Sequence, residues 1–85
     1  MRIIRTEQFE RNYTSLPRIT QKKVDQKLKL ILANLTHPGI RAKKIKGAKD
    51  IWEGRVDRFY RFTFQIEKDT IILRRVGTHE ILRKI

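Results

Sequence analysis

One histidine and several arginines in the last third of the chain are the residues whose types could do chemistry. His79 follows Gly77 and Thr78 where an apolar run ends, and Arg61 lies in the preceding apolar stretch. An imidazole transfers protons near neutral pH, and a planar guanidinium binds two phosphate oxygens at once. These groups suit metal-free RNA cleavage, in which the ribose 2′-hydroxyl attacks its own phosphate and an acid protonates the leaving 5′-oxygen. The alternative interpretation is an exposed histidine near a terminus and an outward charge on a sheet face.

Other kinds of site are not supported by the sequence. The chain has no cysteine, and neither His37 nor His79 has a carboxylate at helical or strand spacing, so no metal site is predicted. No Gly-rich phosphate loop or Ser-His-Asp arrangement is present, and we expect no cofactor. No apolar run approaches the roughly 20 residues that span a bilayer, and the segment MRIIRTEQFERN lacks a signal-peptide apolar region. We therefore expect a cytoplasmic protein with no membrane partner.

The net charge restricts the class of partner. The 85 residues include 21 Lys and Arg against 9 Asp and Glu, which gives a net charge of +12. Such a field attracts polyanions and destabilises the compact state unless a partner neutralises it. Nucleic acid is the favoured polyanion. An acidic protein is a second and compatible partner, and a heavily solvated surface without a partner is the alternative.

Two amphipathic helices are predicted in the first half of the chain. Thr6 is a suitable N-cap, and Phe9, Tyr13 and Leu16 follow at the spacing of one helical face before Pro17 ends the helix. A second helix is predicted from about Ile19 or Thr20, with Thr20 as its N-cap. Its apolar stripe is formed by Val24, Leu28, Ile31, Leu32 and Leu35. Together these helices form a hairpin whose apolar face needs a sheet.

Strands are predicted around the helices and throughout the last third. Residues 1–5 form a short strand that we expect to be buried on both faces, and residues 51–56, 58–66 and 70–76 form three more, followed by a short helical tail. Alternation along the third of these four strands turns Tyr60, Phe62, Phe64 and Ile66 toward the helices, so that Arg61 points to the open face. The predicted fold is one α+β domain over residues 1–85. It is a small antiparallel sheet of four to five elements with the helical hairpin on one face, in the order β-α-α-β-β-β.

A cluster of basic residues lies between the helices and these strands. The segment 40–49 has no clean alternation and is predicted to be a loop that leads into a short edge strand. Contacts from such a cluster to phosphates would position a nucleic acid without reading its sequence. The cluster contains Arg41, Lys43, Lys44, Lys46 and Lys49.

Three segments in the second half of the chain resemble those of a known family. The segments IKGAKDIWEGRV, FYRFTFQI and ILRRVGTHEIL, in this order after the helical hairpin, resemble the RelE/ParE superfamily of toxins from type II toxin–antitoxin systems, in particular its RelE/YafQ-like branch. The resemblance covers essentially the whole chain and implies a small antiparallel sheet backed by two helices. RelE-like members cut mRNA in the ribosomal A site, whereas ParE-like members poison DNA gyrase.

The resemblance also implies roles for individual residues. In the ribonuclease branch of the family, the position that matches Arg61 holds a basic residue that helps to stabilise the transition state. The position that matches His79 holds an arginine or a histidine, which is used for transition-state stabilisation or for proton transfer. Arg55 matches a further basic position. On the strand where some ribonuclease members carry lysines or a histidine, the chain has Trp52, Glu53 and Gly54. It has Arg83 where many members carry an aromatic residue that stacks on a base.

Three hypotheses follow for the function. The first is a metal-independent, ribosome-dependent mRNA endoribonuclease with Arg61, His79 and Arg55 as catalytic residues, whose partners are an acidic antitoxin, the ribosome and mRNA. The second is a gyrase inhibitor, and the third is a degenerate member that only binds RNA or its antitoxin. Under the first hypothesis the residues expected to bind RNA are Arg41, Lys43, Lys44, Lys46, Arg58, Arg75, Arg83 and Lys84.

Overall fold

Local sequence signals set most of the boundaries of the helices and strands. The computed structural model describes residues 2–35 and 37–83. The elements, in chain order, are β1 (Arg2–Arg5), α1 (Glu7–Thr14), α2 (Arg18–Ala33), β2 (Lys43–Lys44), β3 (Trp52–Arg55), β4 (Arg61–Glu67), β5 (Thr70–Gly77) and a 3₁₀ helix (His79–Arg83).

The strands form one five-stranded sheet in the order β1-β5-β4-β3-β2. The β2–β3, β3–β4 and β4–β5 pairs are antiparallel, as predicted, whereas β1 lies parallel to β5. The predicted α+β class and element order are confirmed, with a mixed rather than purely antiparallel sheet. The expectation that the first strand is buried on both faces was wrong. Ile4 is 46% exposed because β1 occupies an edge of the sheet.

Thr6 is the N-cap residue of α1, and Pro17 is that of α2. The hydroxyl of Thr6 accepts a hydrogen bond from the Phe9 amide at 3.2 Å, which confirms its predicted role as the N-cap of α1. The predicted N-cap of α2 was wrong. Pro17 occupies that position and Thr20 is buried inside the helix. Pro17 fits there because its fixed φ suits the start of a helix and it has no N–H to satisfy.

The core lies between the helices and one face of the sheet. Phe62 and Phe64 of β4 are fully buried there, and their ring centroids are 5.5 Å apart. Burial of this apolar surface is the main driving force for folding. The buried residues that meet in this layer are Phe9, Val24, Leu28, Ile31, Ile40, Val56, Phe62, Phe64, Ile71, Leu73 and Val76.

The second face of the sheet is partly covered by the 3₁₀ helix. This helix contacts both β4 and β5. A Cβ placed on Gly77 would lie 2.8 Å from Cγ2 of Ile81. Thr63, which alternates with the core residues of β4, is only 2% exposed. The chain therefore folds back over the second face directly after β5, and this return carries His79 toward the sheet.

Candidate functional site

A groove on the second face brings together residues from four segments of the chain. The groove has a volume of about 630 Å³, and both Arg61 of β4 and His79 of the 3₁₀ helix line it. Two of the three candidate catalytic residues identified from the sequence therefore share one site. The complete lining is Lys43, Lys44, Ile45, Lys46, Glu53, Arg61, His79 and Leu82.

A smaller groove of about 210 Å³ adjoins the first. It shares Lys43, Glu53 and Arg61 with the first groove and adds Arg41 and Arg55 to the surface. We call the two together the basic groove. Apart from one carboxylate, the charged side chains in it are lysines, arginines and the titratable His79. Such a surface attracts a polyanion.

The strand register explains why these side chains meet. Arg55 of β3 is the direct partner of Arg61 of β4, and Lys43 of β2 is the partner of Glu53. Directly paired residues in antiparallel strands project on the same face. Residues two apart on a strand also share a face, so Glu53 and Arg55 project together.

Hydrogen bonds to the turn that precedes β4 hold Arg61 in place. Its Nη1 donates to the main-chain oxygen of Asp57 at 2.6 Å and to that of Tyr60 at 3.0 Å. A guanidinium has five N–H donors, and both of these bonds use one nitrogen. A side chain anchored at one nitrogen can present its other nitrogens to a phosphate in a fixed orientation.

The turn itself is fixed by the Asp57 carboxylate. Its Oδ1 accepts hydrogen bonds from the amides of Phe59 at 2.8 Å and Tyr60 at 2.9 Å, and Lys23 Nζ of α2 lies 3.2 Å from Oδ2. Burial acts to raise the pKa of Asp57, but these amides and the Lys23 ammonium outweigh it and lower the pKa below its ordinary value. The carboxylate is therefore ionised, and it connects the helical layer to the turn that anchors Arg61.

Glu53 is a site residue that the sequence interpretation did not identify as catalytic. Its side chain is 12% exposed, lies 3.3 Å from Lys43 Nζ and lines both parts of the basic groove. The signal was present in the sequence, since Glu53 alternates with Trp52 and is two residues from Arg55. Burial of this carboxylate costs desolvation free energy, and the neighbouring cations offset that cost. Among the described residues, Glu53 is the one carboxylate that lines the groove, so it is the candidate general base there.

His79 is positioned by the turn that follows β5. Thr78 directly precedes the 3₁₀ helix. Its carbonyl accepts a hydrogen bond from the Ile81 amide at 3.1 Å, and its hydroxyl accepts one from the Glu80 amide at 3.5 Å. Gly77 is paired with Arg61 across β4 and β5. His79, two residues after Gly77, therefore lies near the start of β4, where Arg61 is. Its imidazole is exposed to the groove.

Four of the predicted RNA-binding residues lie at the basic groove. Arg41 lines its smaller part, and Lys43, Lys44 and Lys46 line its larger part. The Lys44 ammonium also lies 5.6 Å from the ring centroid of Trp52. These four residues place positive charge along one side of Arg61 and His79.

The other predicted RNA-binding residues lie outside this groove. Arg58 is exposed in the turn before β4. Arg75 lines a separate groove with Thr6, Gln8 and Arg74. Arg83 is exposed in the 3₁₀ helix, 3.5 Å from Glu80, and Lys84 lies outside the described residues. The structure thus divides the predicted set between the groove and other surfaces.

Metal-binding groups and membrane-spanning helices were sought in the described residues. Across residues 2–35 and 37–83, no group of three or more His, Asp or Glu side chains is arranged to hold a metal ion. In the same residues, neither helix combines the length and the apolar character required to cross a bilayer.

Comparison with known proteins gives matches among solved structures alone. No family model matches the chain, and no curated protein does. A chain of the RelB–RelE antitoxin–toxin complex from Methanococcus jannaschii is 21% identical, with a TM-score of 0.77 and 95% of each chain covered. A YoeB/ParE toxin from Agrobacterium tumefaciens is 13% identical, with a TM-score of 0.79 and coverage of 93% of this chain and 99% of that one. YafQ from E. coli is 18% identical, with a TM-score of 0.76 and coverage of 96% and 98%. These likenesses establish the fold.

Proposed function

From a fold shared with the RelE/ParE toxins, we propose that this chain is the toxin of a type II toxin–antitoxin system and acts as a metal-independent, ribosome-dependent mRNA endoribonuclease. The fold supports the general class. The observation that carries the enzymatic part is the position of Glu53, Arg61 and His79 in one basic groove. These residues provide a base, a fixed positive charge and an acid.

The proposed reaction is an in-line attack within the RNA strand. Glu53 accepts the proton of the ribose 2′-hydroxyl, and the 2′-oxygen forms a bond to the adjacent phosphorus. Arg61 stabilises the negative charge that increases on the phosphate oxygens, and Arg55, its direct partner on β3, adds positive charge beside it. His79 in its protonated form gives a proton to the 5′-oxygen as the phosphorus–oxygen bond breaks. The products are a 2′,3′-cyclic phosphate and a 5′-hydroxyl.

The lysines and the remaining arginines have a binding role in this proposal. Arg41, Lys43, Lys44 and Lys46 line the groove and contact phosphates on either side of the scissile bond. Arg75 and Arg83 lie outside the groove and contact ribosomal RNA. Arg58, also outside the groove, contacts the message beside the turn that precedes β4. The groove is shallow and open, so the ribosome must hold the message in the conformation for attack. The proposal therefore includes action on the ribosome, in the cytoplasm.

An acidic antitoxin is the second proposed partner. The M. jannaschii structure is a RelB–RelE antitoxin–toxin complex, and an E. coli structure is a DinJ–YafQ toxin–antitoxin complex. In this chain, the net charge of +12 is carried with exposed apolar residues on β1 and α2, namely Ile4, Ile19 and Leu32. An acidic segment with apolar anchors would neutralise the charge and cover these residues.

The test is expression of the wild-type chain and of two site variants during translation, with primer extension to map cuts in translated messages. We expect cuts with the wild type, and a loss of about 100-fold or more for His79→Ala and for Glu53→Gln. Arg18→Gln, an exposed change at the start of α2, is the matched control and should cut normally. An absence of cuts with the wild type would contradict the enzymatic proposal, and inhibition of gyrase supercoiling in the same preparation would favour the gyrase alternative.

A further inference from the structure

Phe59 is an aromatic residue that the core does not use. It lies in the turn between β3 and β4 and is 63% exposed. The other large apolar side chains exposed among the described residues are aliphatic, namely Ile4, Ile19 and Leu32. An exposed phenylalanine ring is a suitable surface for stacking, because every nucleobase offers a π face to it.

The turn holds the backbone of Phe59 in a fixed conformation. The Phe59 amide itself donates to the Asp57 carboxylate at 2.8 Å, and the next amide, that of Tyr60, donates to the same oxygen at 2.9 Å. Lys23 of α2 fixes the other carboxylate oxygen at 3.2 Å. A ring presented from a pre-organised turn loses little conformational entropy when a ligand stacks on it.

The surroundings of the ring favour a nucleobase over an apolar peptide side chain. The guanidinium carbon of Arg58 lies 5.5 Å from the centroid of the Phe59 ring. Arginine planes and aromatic rings are the two surfaces on which proteins stack unpaired bases. The charge beside the ring also attracts the phosphate that every nucleotide carries.

The ring is also close in the chain to the residue that would hold the scissile phosphate. Arg61 is two residues after Phe59, so their Cα atoms are at most about 7 Å apart, the value for an extended backbone. The Nη1 of Arg61 bonds to the main-chain oxygen of Asp57 in the same turn. The backbone of Phe59 and the guanidinium of Arg61 therefore belong to one hydrogen-bonded turn, and their Cα separation is comparable to the size of one nucleotide.

We infer that Phe59, flanked by Arg58, is a subsite for an unpaired nucleobase of the RNA strand whose phosphate is held by Arg61. This inference rests on the proposed function and identifies a ligand-binding residue on a turn outside the groove. Stacking on Phe59 fixes the strand next to the reacting ribose, so its loss weakens binding without removing a catalytic group.

The test measures binding of a short single-stranded 2′-O-methyl RNA, which cannot be cleaved because its 2′-oxygens are blocked. Fluorescence anisotropy is recorded over a series of KCl concentrations for the wild type, Phe59→Leu and Phe59→Trp. We expect Phe59→Leu to bind at least about fivefold more weakly and Phe59→Trp to bind as the wild type does. The salt slope should be the same for all three, because stacking releases no counterions.

Two matched variants separate stacking from charge and from general surface effects. Arg58→Gln should lower the salt slope by about one if its guanidinium contacts a phosphate, and Phe59→Leu should not. Gln26→Ala removes an exposed side chain from α2, and it should change neither affinity nor slope. Thermal unfolding of each variant verifies that the fold is retained.

Equal affinity for the wild type and Phe59→Leu would overturn the inference. If the wild type also cuts translated messages, the proposed function survives that result. Stacking-dependent binding without any cleavage would instead contradict the enzymatic proposal alone. If Phe59→Leu binds RNA normally but loses its complex with the co-expressed antitoxin, the ring contacts a protein, and the nucleobase subsite is wrong.

Discussion

Arg61 is anchored to Asp57 by a hydrogen bond of 2.6 Å from its Nη1 to the main-chain oxygen of that residue. The same Asp57 receives two amides of the turn on its carboxylate and an ammonium from α2. One residue therefore connects the helical layer, the turn and the candidate catalytic arginine.

Replacement of Arg61 should abolish most cleavage without unfolding the protein. Arg61→Gln removes the charge opposite the phosphate and should lower the rate by about 100-fold or more. Arg61→Lys should recover only a small part, because an ammonium lacks the planar fork that binds two oxygens and the turn carbonyls together. Primer extension on a translated message measures the rate. A rate for Arg61→Lys equal to that of the wild type would show that a point charge is sufficient.

Replacement of Asp57 should act through the turn. Asp57→Ala removes the acceptor of the Phe59 and Tyr60 amides, so we expect lower stability and weaker cleavage. Asp57→Asn keeps an acceptor oxygen and should recover part of both. Urea unfolding and primer extension give the two measurements. Equal cleavage by Asp57→Ala and the wild type would show that the carboxylate does not position Arg61.

The stability difference between the wild type and Asp57→Asn should depend on pH. The pKa of Asp57 is lowered in the folded state, so the ionised carboxylate favours folding at any pH above its unfolded value of about 3.9. This contribution is lost as the pH falls through the lowered folded pKa. Urea unfolding from about pH 7 to about pH 2 should show the two proteins converging at the acid end. Lys23→Gln should reproduce part of the difference at neutral pH, because it removes one of the groups that lower the pKa.

Gly54 should tolerate no side chain. A Cβ there would lie 2.3 Å from Cζ of Phe62, its direct partner on β4. Gly54→Ala should therefore displace a fully buried ring and destabilise the fold by about 1–3 kcal/mol. The change should cost less when it is made together with Phe62→Leu, which shortens the obstructing side chain. A double-mutant cycle by urea unfolding measures this coupling, and simple additivity would mean that the ring moves freely.

Lys43 should matter for RNA binding and little for stability. Its ammonium lies 3.3 Å from Glu53, but the lysine side chain is 72% exposed. Glu53 is largely buried, but Lys43 is in contact with solvent, and Arg55 and Arg61 line the same groove as Glu53, so the loss of this one ammonium should cost no more than about 1 kcal/mol. Lys43→Gln should therefore unfold as the wild type does but bind single-stranded RNA with a salt slope reduced by about one. Lys68→Gln, an exposed change in the turn between β4 and β5, is the matched control and should leave the slope unchanged.

The sequence alone determined the order of the elements and the inner face of the sheet. The helical stripe that contains Val24 and Leu28, and the alternation that buries Phe62 and Phe64, are local periodicities, and such patterns are visible without coordinates. The sequence also identified Arg61 and His79 by residue type and by the motifs around them. It misplaced the start of α2, because Thr20 has the type of an N-cap residue whereas Pro17 occupies that position.

Only the tertiary structure decided which side chains share the groove. Glu53, Arg61 and His79 are separated along the chain, and the strand register together with the return of the 3₁₀ helix over Gly77 brings them to one surface. The same is true of β1, whose parallel pairing with β5 makes it an exposed edge. Pairing register and strand order depend on contacts between distant residues, and the periodicity of a single segment does not contain them.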